Sequence, residues 1–135
     1  PIAPVPSLAR MADLLDAPRA AGIDVTANVN AAVDQVSDLT QLTAYRIVQE
    51  SVSNVIRHSA ARRILIDLRD DGPHLVIEIR NDGADGESAT QIAGHGIIGM
   101  RERAESIGGQ FAAGPQPPDN WVVTARLPRR SAATP

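Results

Sequence analysis

The stretch QESVSNVIRHS, Gln49 to Ser59, sets a carboxylate, a carboxamide, a guanidinium and an imidazole three and four residues apart. A helix turns about 100° per residue, so with Glu50 at zero, Asn54 falls at about 40°, His58 at about 80° and Arg57 at about −20°. Val48, Val52, Val55 and Ile56 fall on the opposite side. The four polar groups therefore share one face, while the apolar four hold the helix to a sheet. An ordinary solvated face is the competing reading. The mix of residues argues for chemistry instead. Asparagine is a poor helix former, because its side chain competes for backbone hydrogen bonds. One turn after a glutamate it offers an oxygen to a hard cation, and Mg²⁺ takes one or two protein oxygens and leaves its other positions to water and phosphate.

Two further stretches carry similar possibilities. In GHGIIGMRERAESIGG, Gly94, Gly96 and Gly99 open a helix. Glycine lets backbone approach a ligand closely, and a helix N-terminus presents free N–H groups and a positive dipole end to phosphate. A flexible loop is the alternative. The absence of a strand just before it argues against a Rossmann fingerprint, and the absence of Gly-Lys-Ser/Thr against a P-loop. IRNDGADG, Ile79 to Gly86, leaves a strand end with groups able to accept a hydrogen bond from the exocyclic amine of a base. Asn-Asp-Gly is equally ordinary turn chemistry. His74 reads as an exposed turn residue, and Trp121 and Phe111 as core. Arg101 and Arg103 face phosphate, an upstream domain or solvent.

These groups need elements to position them. Pro1 to Pro6 reads as extended linker, and Ser7 as the cap of a helix running to about Ala21. Ile23, Val25, Ala27 and Val29 alternate with polar residues as a half-buried strand. Asp38, three residues before Gln41, opens a helix to about His58 in the manner of a capping box. Its apolar stripe is Leu42, Tyr45, Val48, Val52, Val55 and Ile56. Arg63 to Arg80 is a hairpin about Asp70-Asp71-Gly72-Pro73. Asn81 to Gly99 reads as a glycine-rich loop without a period, and loops beyond about 12–15 residues are commonly functional. A helix over roughly Ile98 to Ile107 stops at Gly108-Gly109. Strands over Gln110 to Ala113 and Trp121 to Leu127 close the chain. Hairpins with helices between them predict an α+β fold, one mixed sheet covered by helices on one face.

Bulk properties narrow the class. The chain has 135 residues, and one domain is the default at that length. We expect residues 7–128 to form it, with a linker remnant at 1–6 and a tail at 129–135. There is no cysteine, so disulfides and thiolate metal sites are excluded. The net charge of −3, with both signs interspersed, argues against a nucleic-acid binder. No apolar run approaches the roughly 20 residues of a membrane span. No signal-peptide pattern opens the chain, whose Pro-rich start looks cut from something longer.

Taken in order, the three motifs resemble the ATP-binding domain of two-component histidine kinases, within the gyrase/Hsp90/kinase/MutL ATPase superfamily. YRIVQESVSNVIRHS resembles the N box, IRNDGADG the first glycine box and GHGIIGMRERAESIGGQF the second. YRIVQE and GMRER are similar to the NarX/DesK-like subfamily. The resemblance covers roughly Ala21 to Leu127. It implies a Bergerat-type two-layer α/β sandwich: a mixed, mostly antiparallel sheet under about three helices, with a mobile ATP lid over Glu87 to Ala93.

The resemblance also implies roles. Asn54 would coordinate Mg²⁺ bridging the ATP phosphates, and Glu50 would orient a metal-bound water or act as a base. Arg57, where the family commonly has lysine, would contact phosphate, with His58 near phosphate or ribose. Asn81, Asp82 and Gly83 would lie at the adenine. Gly94, His95, Gly96, Ile97, Gly99 and Met100 would wrap the phosphates. Two positions depart from the family pattern: Asn81 stands for its aspartate and Asp85 for its second glycine. None of His58, His74 and His95 sits in a dimerisation hairpin, so the acceptor histidine is expected upstream. The implied partners are ATP or ADP, the kinase's own dimerisation and phosphotransfer domain and, indirectly, a response regulator with a helix-turn-helix output. No direct contact with nucleic acid or membrane is implied, and the domain is expected to be cytoplasmic and monomeric. Two alternatives remain open: a serine kinase of the anti-sigma-factor type, and a non-catalytic interaction module of the same fold.

Overall fold

A computed structural model describes residues 7–94 and 96–130. Five strands form one sheet: β1 (Asp24–Asn30), β2 (Arg63–Asp71), β3 (His74–Asn81), β4 (Gln110–Gln116) and β5 (Asn120–Pro128), in the order β1-β2-β3-β5-β4. β1 pairs with β2 in parallel, and every other pair is antiparallel. Strand side chains alternate between faces. Ile64, Ile66 and Leu68 of β2, Leu75, Ile77 and Ile79 of β3, and Val123, Ala125 and Leu127 of β5 accordingly form one buried layer. The helices lie on that side: α1 (Asp16–Ala20), α2 (Asp38–His58), α3 (Gly86–Ala93) and α4 (Ile97–Ser106). The α+β architecture and the mixed sheet agree with the expectation.

Local structure departs from it in four places. The first helix is not one α-helix: Leu8–Leu15 is 3₁₀ and only Asp16–Ala20 is α-helical. Pro18 lies within the expected span and has no N–H to return to the preceding turn. Ser7 makes no side-chain cap. α2 is capped by Ser37 rather than Asp38, its hydroxyl oxygen accepting from the Thr40 N–H at 3.2 Å. Gln41 instead donates to the carbonyls of Val33 and Val36, both at 3.0 Å, tying α2 to the link before it.

The buried stripe of α2 is rotated from the expected one. Leu42, Tyr45 and Ile56 are only half-buried, while Thr43, Ala44, Ile47, Ser51 and Asn54 join Val48, Val52 and Val55 inside. α2 is covered by α3 and α4 as well as by the sheet, so a single apolar stripe underestimates its buried surface. Lastly, the stretch expected as loop and lid contains α3, Gly86–Ala93, with Ile92 1 % exposed. Burying Ile92 against the core gives this polar stretch its reason to fold. Arg129, just past the expected domain end, is still tied in: its N–H donates to Pro73 O and its carbonyl accepts from Ser37 N, each at 2.8 Å.

Candidate functional site

α2, α3, α4 and the adjoining ends of β3 and β5 enclose one small cavity, lined among others by Ser51, Asn54, Asn81, Ile92, Met100 and Trp121. Its space does not admit a water molecule. Ile47, Ser51 and Asn54 follow one another at helical spacing, which carries Asn54 inward to 4 % exposure. Ser51 donates to Met100 Sδ at 3.4 Å, joining α2 to α4. Asn81 continues the inward row of β3 beyond Ile79 and is 2 % exposed. Its Nδ2 donates to the Asp82 carbonyl at 2.7 Å. That bond fixes the amide and leaves Oδ1 buried without a partner among the described residues. Trp121, which pairs with Asn81 across the sheet, likewise has an unpartnered Nε1.

A second hollow, of about 450 Å³, lies beside the first and shares Met100 with it. Arg46, Gln49 and Glu50 of α2 face Gly96, Gly99 and Arg103 across it. Gly96 precedes α4 with φ +74, and a Cβ there would strike the Glu50 carboxylate. The glycine is thus required twice, by its backbone conformation and by the closeness of Glu50. Two guanidinium groups and one carboxylate leave this hollow with a positive balance, suited to an anion.

The structure does not bring all the expected residues together. Glu50 and Asn54 do not share a solvated face: Glu50 is exposed in the second hollow and Asn54 is buried in the first. Arg57 lies elsewhere, in a groove with Asp13, Leu14 and Ala17 against the first helical segment. Two turns beyond Glu50, the helix has carried it out of reach of α4. His58, in the last turn of α2, is half-buried and lines neither hollow. Asp82, just past the end of β3, does not line the small cavity that Asn81 enters. Its Oδ1 accepts from the N–H groups of Arg62 at 2.8 Å and Arg63 at 3.0 Å, fixing the start of β2. Gly83, at φ +70, serves a backbone crossing: a Cβ would lie 2.5 Å from the Ala60 carbonyl. Ile97, Gly99 and Met100 do line the hollows. Gly94 ends α3, and His95 lies outside the described residues.

Residues 39–131 match the Histidine kinase-, DNA gyrase B-, and HSP90-like ATPase family. The chain belongs to this family. Among curated proteins it is 37 % identical over 86 residues to the sensor histidine kinase YxjM of Bacillus subtilis, covering 64 % of this chain and 21 % of that one. To the sensor histidine kinase DesK of the same organism it is 34 % identical over 79 residues, covering 58 % and 21 %. The chain thus spans about a fifth of the length of these relatives. Among solved structures, the nucleotide-free catalytic domain of histidine kinase ThkA superposes with a TM-score of 0.68 at 18 % identity, covering 91 % of this chain and 93 % of that one. Acinetobacter baumannii histidine kinase AdeS gives 0.66 at 10 % identity, covering 93 % and 66 %. At those identities the likeness is one of fold.

Several site residues escaped sequence reasoning. Arg46 sits one helical turn before Glu50, a spacing that marks it as a neighbour on the same face. Ser51 lies three residues before Asn54 and so travels inward with it. Trp121 read as ordinary core, because its pairing with Asn81 becomes visible only once β3 and β5 are adjacent. Arg101 is occupied elsewhere, donating to the Phe111 carbonyl at 2.9 Å with its guanidinium 5.4 Å from that ring's centroid.

Proposed function

We propose that this chain binds MgATP and donates the γ-phosphoryl group to a histidine on a separate, upstream dimerisation domain of a sensor histidine kinase. The observation that carries the reading is a convergence. Asn54 of α2, Asn81 of β3 and the glycine-flanked start of α4, far apart in the sequence, meet around two adjoining hollows that share Met100. One is apolar with two unpartnered buried polar atoms, which suits a heterocycle. The other is cationic and glycine-lined, which suits phosphates.

Asn54 would offer an oxygen to Mg²⁺, Glu50 would orient a water on the metal or act as a base, and the metal would neutralise charge on the phosphates. Among the described residues, no three of His, Cys, Asp and Glu cluster to bind a metal unaided. A cation sharing its shell with water and phosphate needs no such cluster. Arg46 and Arg103 would draw the triphosphate into the groove, and Gly96 would let backbone approach it. Catalysis here is positioning and charge neutralisation. An acceptor imidazole nitrogen attacks the γ-phosphorus, the bond to the bridging oxygen breaks and ADP leaves. Ile92 on α3 fills the space a base would need, so α3 must withdraw for binding, which is the part of a lid.

The acceptor would then pass the group to a response regulator with a helix-turn-helix output. No helix among the described residues is long and apolar enough to cross a membrane, in keeping with a cytoplasmic domain over residues 7–128. Calorimetric titration of the chain with ATP, with and without Mg²⁺, alongside Asn54→Ala, tests the reading. Binding should tighten with Mg²⁺, and the variant should lose most of that gain. No binding at millimolar nucleotide would overturn it in favour of a non-catalytic module.

A further inference from the structure

We infer that the outer edge of β1 is an interface at which a second copy of this chain pairs antiparallel about Ala27, joining two sheets into one. The inference is independent of the nucleotide-binding reading, since no residue of β1 lines either hollow of that site.

β1 and β4 are the two edges of the sheet. An edge strand offers a row of unpaired N–H and C=O groups, and proteins commonly blunt it with proline or charge. β4 is blunted. Arg101 donates to the Phe111 carbonyl at 2.9 Å, which marks Phe111, Ala113 and Pro115 as the residues whose backbone faces outward. Pro115 stands among them and has no N–H to give. β1 lacks such a device. From Val25 to Asn30 it reads VTANVN, with no proline, glycine or charge.

Its outward groups can be assigned. Asp24 N–H donates inward, to the Arg62 carbonyl at 2.9 Å. Alternate residues of a paired strand bond to the same neighbour. Asp24, Thr26, Asn28 and Asn30 therefore serve β2, and Val25, Ala27 and Val29 turn their N–H and C=O groups outward. Arg19 agrees with this parity, donating to the Val25 carbonyl from outside at 3.0 Å. Among the described residues no other partner meets these outward groups. Val29 is 43 % exposed, large and apolar.

Symmetry decides what fits this edge. Antiparallel pairing about Ala27 uses the whole strand. It sets Ala27 opposite Ala27 and each Val25 opposite the other copy's Val29. All are outward-facing residues, so each N–H meets a carbonyl. The Val25 carbonyl has a second lone pair for this bond beside that of Arg19. Side chains alternate between faces, so the apolar residues meet on the helix side. On the open side Thr26 meets Asn28 and Asp24 meets Asn30, and no like charges oppose one another. One strand pair buries far less than the roughly 1,600 Å² of a standard interface, so the dimer is weak, with a Kd of about 0.1–1 mM.

Sedimentation equilibrium from about 10 µM to about 1 mM should show the mass rising toward twice that of one chain. Thr26 and Asn28 are exposed and make the test specific to this register. Thr26→Lys with Asn28→Lys sets lysine opposite lysine and should keep the chain single, as should Thr26→Glu with Asn28→Glu. An equimolar mixture of the two sets lysine opposite glutamate and should pair about two- to thirtyfold more tightly than the parent chain. That recovery also shows that both variants fold. A parent chain that stays single at about 1 mM overturns the inference and leaves the edge to an extended segment of a different protein. Pairing that persists in either charged variant alone lies elsewhere on the molecule and overturns it equally. A mixture that stays single while the parent pairs refutes the register.

Discussion

Strands β3 and β5 run side by side, and their two ends are finished differently. At the hairpin end most polar groups are tied down, with His74 Nδ1 a buried exception. Arg126 donates to Asp71 at 2.7 Å, Ala32 N–H to Asp70 Oδ2 at 2.8 Å, and Thr40 to Pro128 O at 2.8 Å. Arg129 is held by Pro73 and Ser37. At the other end the same strands stop at Asn81 and Trp121, whose Oδ1 and Nε1 are buried without a partner among the described residues. One end spends most of its polar groups on the fold. The other withholds two of them, at a cost of about 1–3 kcal/mol each, beside a glycine-flanked helix start. A protein retains such a cost where a ligand recovers it.

Mutations at the two ends should therefore separate stability from binding. Leu75→Ala, at the hairpin end and fully buried, should cost about 2–5 kcal/mol of unfolding free energy. Urea unfolding would register the loss, while calorimetry at a temperature where the variant is folded should find its ATP affinity unchanged. A comparable loss of affinity would erase the distinction between the ends.

Gly96→Ala should differ in losing affinity as well. A left-handed alanine costs about 1–3 kcal/mol, and its Cβ meets the Glu50 carboxylate. The strain is carried by the folded state and should lower the urea midpoint, and a tenfold or greater loss of ATP affinity should accompany it in the folded variant. A large drop in the midpoint at full affinity would make this glycine structural instead.

The smallest effect belongs to Asp71. The hydrogen bond and charge of Arg126 hold its carboxyl below the ordinary 3.8. A depressed folded-state value means that the pair stabilises the fold above pH about 3.8 and that this contribution fades as pH falls through the lower folded value. Thermal melts from pH 5 downward, compared with Asp71→Asn, should converge at the acid end. The side chain is exposed, so added salt should shrink the difference. Convergence at high pH instead would reverse the sign assigned to this pair.

The helix of motif residues, the hairpin and the glycine turn were all legible in the sequence, because helical and strand periods and turn residues are local properties. α3 was not: its polar stretch has no period of its own, and it folds where Ile92 finds a core built from distant strands. Asn54 stands out in the sequence as unusual but was placed with the exposed polar face, since spacing gives angles around a helix and not what covers each angle. Asp82 and Asn81 looked interchangeable as acceptors in one turn. Only the tertiary structure separates them, Asp82 going to the backbone at the start of β2 and Asn81 into the cavity.

By itself, then, the sequence determined the residue types available for chemistry, the alternation that makes the sheet one-sided and the family to which its motifs point. Tertiary structure decided which of those residues meet. Strand pairing set Trp121 opposite Asn81, and the packing of α4 on α2 brought Gly96 against Glu50 while leaving Arg57 outside. The physical reason is range. Periodicity and turn chemistry act over a few residues, whereas the desolvation that leaves an amide and an indole unpaired exists only when elements from the whole chain close over them.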